Sequence, residues 1–134
     1  MKQTLLWALA AFYLLTGLYL AITPISFYET APGVSDTGPY NMHFIRDVGF
    51  AFIVSALGIA FGLRRKLKAL IVFGIAWLVA HGLFHLVLWF LHSNHTSATA
   101  LTDLAVVVLP AGVLAYLSAT YRLETNAESN QGSR

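Results

Sequence analysis

The stretch ALIVFGIAWLVAHGLFHLVLWFL, Ala69–Leu91, contains no Asp, Glu, Lys or Arg. As a helix rising about 1.5 Å per residue it extends over roughly 30 Å, the thickness of a bilayer's hydrocarbon core. A buried soluble helix would need a polar face and end caps, and this segment lacks a polar face. It therefore reads as a transmembrane helix. Three more segments of similar length and character lie at Thr4–Ile25, His43–Leu63 and Ala100–Tyr121. Together they predict an all-α, four-helix transmembrane bundle forming one domain over residues 1–123. Residues 124–134 read as a polar, disordered cytoplasmic tail.

Composition points the same way. Of 134 residues, 57% are hydrophobic and 10% are charged, against about 45–50% and about 25% in soluble domains. The net charge of +2 is too small to suggest a nucleic-acid partner. The absence of cysteine excludes disulfides, thiolate metal sites and cysteine nucleophiles. The run Thr4–Ile25 is longer than a signal-peptide core and no small-x-small cleavage site closes it, so it is expected to remain as the first span.

The connections fix the topology. Arg64-Arg65-Lys66-Leu67-Lys68 is a tight hairpin between spans two and three. Ser26–Met42, with Pro32-Gly33 and Gly38-Pro39 as turn signals, joins spans one and two, and His92–Thr99 joins spans three and four. In a four-pass arrangement Lys2, Arg64, Arg65, Lys66, Lys68, Arg122 and Arg134 fall on one side and Arg46 alone on the other. Short loops rich in Lys and Arg stay cytoplasmic, so both termini are expected inside, in a multi-pass cell-membrane protein. Trp7, Trp89, Tyr116 and Tyr121 suit the membrane interfaces, whereas Tyr13 and Trp77 lie too deep.

The polar residues converge. On span two, His43, Asp47, Ala51, Ser55, Gly58 and Gly62 recur at steps of four or three. The small residues mark a face that packs against another helix. On span three, Gly74, His81, His85 and His92 share a face. Span four carries Asp103 about one turn in, and Pro110 at mid-segment should kink the helix and free the carbonyl of Val106. The topology places His43, Arg46, Asp47, His81, His85, His92, His95 and Asp103 at the extracytoplasmic end, with all five histidines among them. Ionisable groups inside a membrane are costly and point to function by default.

Several readings fit that cluster. Arg46, Asp47 and Asp103 could form a structural ion-pair network stapling helix ends together in an accessory subunit of a membrane complex. Alternatively His43, Asp47, His81, His85, His92 and Asp103 could hold a transition metal such as zinc, iron or copper, or bind a small polar ligand. Haem between facing histidines and proton conduction are further alternatives. Expected partners are the lipid bilayer and a second copy or other membrane subunit. Arg64–Lys68 could also touch anionic headgroups, and Glu29 could cover the cluster. No phosphate-binding loop, dinucleotide fingerprint, nucleophile elbow or His-Glu-x-x-His motif is present, so no reaction is named.

Arg46-Asp47-Val48-Gly49, opening span two, carries a resemblance. With the four-span layout it resembles the small four-helix membrane proteins of the DoxX-like superfamily, in which an arginine followed by a glycine often stands at this place. The resemblance implies the fold and no particular activity. His81, His85 and His92 lie outside that pattern.

Overall fold

The computed structural model describes residues 1–91 and 96–121. It is all-helical over those residues, with four helices long and apolar enough to cross a membrane: Lys2–Ile22, Met42–Arg65, Lys68–Leu91 and Ala98–Thr120. In chain order the elements are α1 (Lys2–Ile22), α2 (Pro24–Thr30), a 3-10 turn at Ser35–Thr37, α3 (Met42–Arg65), α4 (Lys68–Leu91) and α5 (Ser97–Thr102). A π-helical stretch (Asp103–Val108) and α6 (Leu109–Thr120) then complete the last span. The expected tail at 124–134, together with His92, His95, Arg122 and Arg134, lies outside the described residues.

Each boundary has a local cause. Pro24 lacks an N–H and disfavours helical geometry at the residue before it, so α1 stops at Ile22 and Thr23 leaves the helix with φ −125°. The first connection is therefore partly helical: Pro24 starts α2, where the sequence suggested only a longer first span and a loop. Asn41 caps α3 by accepting from the Phe44 N–H at 3.1 Å. At the other end Lys66 turns left-handed with φ 55°, and the Leu67 N–H reaches back to the Gly62 carbonyl at 2.8 Å. That reversal is a Schellman turn and delivers the hairpin expected at Arg64–Lys68.

The helices pack backbone against backbone. A methyl group added at Gly17 would stand 2.6 Å from the Gly49 carbonyl, which brings α1 and α3 into direct contact. Between α3 and α4, one added at Gly74 would stand 2.7 Å from the Ser55 carbonyl, and one at Gly58 3.2 Å from the Gly74 Cα. Between α4 and α6, a Cβ at Gly82 would meet that of Ala111 at 2.6 Å. Hydrocarbon tails are as apolar as leucine, so close packing rather than water exclusion holds such helices together. Leu6, Leu20, Ile59, Ile71, Leu78 and Leu114 fill the core between these crossings. Large side chains such as Phe73 and Phe90, 75% and 90% exposed, cover the outside and would be untenable over so much surface in water.

α3 occupies the middle, packed against α1 and α4, while the last span packs mainly on α4. α1 meets α6 at the end that holds the N-terminus, where Lys2 Nζ donates to the Thr120 carbonyl at 3.3 Å and lies 5.6 Å from the Tyr116 ring centroid. Lys2 and Thr120 thus share one end of the bundle. The opposite end, called distal below, carries α2, the Ala31–Asn41 turns and the start of the last span.

Gly17→Leu or Gly74→Leu is expected to lower the unfolding free energy in detergent by about 1–3 kcal/mol through overpacking. A methyl at Gly112 meets nothing within 4 Å. Gly112→Ala is therefore expected to be neutral or to raise stability by up to about 1 kcal/mol. Equal sensitivity at Gly74 and Gly112 in thermal melts would contradict this packing.

Candidate functional site

A cavity of about 440 Å³ lies at the distal end. Phe12, Tyr13 and Thr16 of α1 form one wall; Phe44, Val48 and Phe52 of α3 form another. Residues of α2 and the Ala31–Asn41 turns line it as well, including Phe27, Tyr28, Pro32 and Gly38. His81, Phe84, His85 and Leu88 of α4 and Thr102, Asp103, Val106 and Val107 of the last span close the circuit. The lining is mainly apolar and aromatic, with its imidazoles and carboxylate gathered on the side of α4 and the last span.

Hydrogen bonds hold the covering segment in shape. The Tyr19 hydroxyl lies 3.1 Å from both Ser26 Oγ and Thr30 Oγ1, tying α2 to α1. The Tyr28 hydroxyl donates to the Gly38 carbonyl at 2.9 Å. Gly33 adopts φ +82°, and a Cβ there would collide with the Thr99 side chain. The first connection thus lies directly against the start of the last span, and glycine is required at that contact.

The polar wall is built from steps of four on α4. Trp77, His81, His85 and Trp89 follow one another up α4, each one turn beyond the last and next to it in space. His81 stacks on Trp77, with ring centroids 5.0 Å apart and planes at 11°. The Phe52 ring meets His81 edge-on at 5.5 Å, and Tyr13 stacks on Phe52 at 5.6 Å. His81 and His85 lie with ring centroids 4.8 Å apart. His85 Nδ1 is 3.2 Å from Asp103 Oδ2, and Trp89 Nε1 donates to the same oxygen at 3.2 Å.

Asp103 reaches this position because of the helix that bears it. It opens the π-helical stretch that ends immediately before α6, where the Leu109 N–H bonds the Leu104 carbonyl five residues back. Pro110 follows, with no N–H to donate and a ring that would crowd the Val106 carbonyl in a regular helix. Widening the preceding turn relieves that conflict. The kink expected at Pro110 is thus realised as an inserted residue, which rotates everything before it by about 100° relative to a continuous α-helix.

The predicted residues divide. His81, His85 and Asp103 come together. His43 and Asp47 are exposed on α3 and do not line the cavity. The reason is angular: a step of four overshoots a full turn by about 40°, so Asp47 and His43 lie about 80° and 120° around the helix from Ser55. Ser55 is buried, Gly62 is buried against Ile71 and Gly58 lies over Gly74, so the small-residue end of that stripe does face protein. At the distal end α3 instead buries Ile45, Gly49 and Phe52.

Arg46 has a separate role. The break at Pro24 deprives the end of α1 of intrahelical donors, and Arg46 Nε donates to the Ala21 carbonyl at 3.1 Å. Among the described residues no ion pair joins Arg46 to Asp47 or Asp103, so the expected three-residue network is not formed as such; Asp103 pairs with His85 instead. Nor do three His, Asp or Glu side chains among the described residues converge as a metal-ligand set, so the six-residue metal set is not assembled; His92 lies outside the described residues.

Two contributors escaped the sequence reading. Trp89 was expected as an interface anchor, although its step of four from His85 already put it on the polar face. Tyr13 was read only as lying too deep for an interface, because its place beside Phe52 depends on how α1 packs against α3.

No family model matches the chain, and no curated protein or solved structure is significantly similar to it. Nothing in these comparisons supports the resemblance to DoxX-like proteins specifically; the four apolar helices support a small four-helix membrane protein.

A double-mutant cycle on His85→Ala and Asp103→Ala is expected to give a coupling of about 1–3 kcal/mol. In a Pro110→Ala background, which restores the missing N–H, that coupling should fall below about 0.5 kcal/mol. An unchanged coupling would show that the proline does not set the register of Asp103.

Proposed function

We propose that this chain is an integral membrane protein that binds a small molecule with an apolar body and a polar head in the distal cavity. The carrying observation is the cavity itself: about 440 Å³, mainly apolar, with His81, His85 and Asp103 grouped on one wall. Ligand sites span about 300–1,000 Å³ and pair apolar lining with a few convergent polar groups. The basic residues of the opposite end support an orientation with both termini cytoplasmic and the cavity in the extracytoplasmic half of the membrane.

A polar ligand accounts for the geometry better than a transition metal. His43 and Asp47, two of the six expected ligands and the two that α3 would contribute, are exposed on that helix. The carboxylate of Asp103 is already engaged by an imidazole and an indole N–H. Ligands of mixed character reach such a site through the bilayer, where their apolar bodies concentrate. α1 and the last span diverge toward the distal end, and Phe12, Thr16, Val106 and Val107 line the cavity between them.

Uptake of decylbenzene into nanodiscs containing the protein, measured beyond its uptake into empty nanodiscs, tests the reading. Val48→Trp, which fills the cavity from α3, is expected to weaken that uptake at least about tenfold, roughly 1.4 kcal/mol. His43→Ala and Asp47→Ala should leave it unchanged. Full uptake by a folded Val48→Trp protein, or none by the wild type, would sink the proposal.

A further inference from the structure

The cavity contains polar atoms that the protein itself does not satisfy. Tyr13 is 3% exposed, lines the cavity, and its hydroxyl has no hydrogen-bond partner among the described residues. The ring nitrogens of His81 have none either, although its ring is held by Trp77 and Phe52. Among the described residues no fully enclosed polar side-chain atom is left unpaired, so these atoms keep open surface, and an occupant of the cavity that both residues line can pair them.

His85 defines what that occupant must offer. Its Nδ1 is committed to Asp103 Oδ2, which leaves Nε2 as its remaining polar atom. The indole of Trp89 can only donate, so Oδ2 accepts from it, and an ionised carboxylate there can accept from His85 Nδ1–H as well. An isolated charge is costly within a bilayer, which favours a His85–Asp103 pair with no net charge. In that state the pair is either imidazolium with carboxylate or neutral imidazole with carboxylic acid. Imidazolium with carboxylate lets Oδ2 accept from both His85 and Trp89 with no carboxyl proton to place, and it is this arrangement that also keeps a proton on Nε2. His85 therefore presents an N–H donor to the cavity.

The ligand's own charge follows from the same constraint. A carboxylate on Nε2 would leave the site with a net negative charge in an apolar surround, whereas a carbonyl oxygen accepts the proton and keeps the total at zero. Phe12, Tyr13, Phe52 and Phe84 line the same cavity as His85, and their faces and edges suit a flat ring. We infer that the cavity takes an uncharged ring-bearing carbonyl compound with an apolar tail, whose carbonyl oxygen accepts the Nε2–H of His85. This inference rests on the binding role proposed above.

A matched series with one tail separates the possibilities: para-decylacetophenone, para-decylphenol, para-decylbenzoate and decylbenzene. Each is partitioned between nanodiscs with and without the wild-type protein. The ketone is expected to bind at least about tenfold more tightly than decylbenzene, the gain of one charge-assisted hydrogen bond, and more tightly than the phenol or the benzoate. His85→Phe, which keeps a ring in place, should abolish the advantage of the ketone over decylbenzene measured on the same variant. Nitrogen NMR of the wild-type protein should find Nε2 of His85 protonated, a readout that needs no variant. Preference for the benzoate, preference for the phenol, equal binding of all four, or an unprotonated Nε2 would each overturn the inference while leaving the binding role intact. Failure of all four, decylbenzene included, would remove the binding role as well.

Discussion

The structure depends on backbone contact at helix crossings. Gly17 against Gly49, Gly58 against Gly74 and Gly82 against the Ala111 methyl let four apolar helices approach with no large side chain between these pairs. In hydrocarbon, leucine surfaces gain little by leaving lipid for protein, so cohesion comes from the close fit of matched surfaces. The same crossings fix the order of the bundle. α3 is clamped on both sides, α4 carries the last span, and α1 meets that span closely only near the end where Lys2 reaches Thr120. The space left where α1 and the last span diverge becomes the distal cavity.

The polar groups sit in that space because each is individually supported. Stacking on Trp77 and the edge of Phe52 hold His81. His85 is oriented by a carboxylate that Trp89 also engages. The carboxylate is delivered by a π-helical turn that Pro110 makes favourable. Arg46 was the most conspicuous charge at this end, yet it closes the broken end of α1 at the Ala21 carbonyl. A single proline, Pro24, accounts for that role: it ends α1, starts α2 and leaves a carbonyl for the arginine to satisfy.

Much of the site was legible from spacing on one helix. His81 and His85 are one turn apart and remain neighbours in the bundle, and Trp89 could have been added by the same step. Spacing failed over longer distances on α3. A repeat of four drifts around the helix, so the face that carries Gly58 and Gly62 into α4 does not carry His43 and Asp47 into the cavity.

By itself the sequence determined four spans, the hairpin at Arg64–Lys68 and the gathering of polar residues toward one end. Each of these follows from local properties: length against bilayer thickness, the cost of charge in hydrocarbon, and the turn chemistry of short connections. Tertiary structure decided which polar residues meet. The pairing of His85 with Asp103, the placement of Tyr13 and the exclusion of His43 and Asp47 depend on helix rotation and crossing. Those are set by where glycines on different helices touch and by the extra residue ahead of Pro110, neither of which a single helix's periodicity encodes.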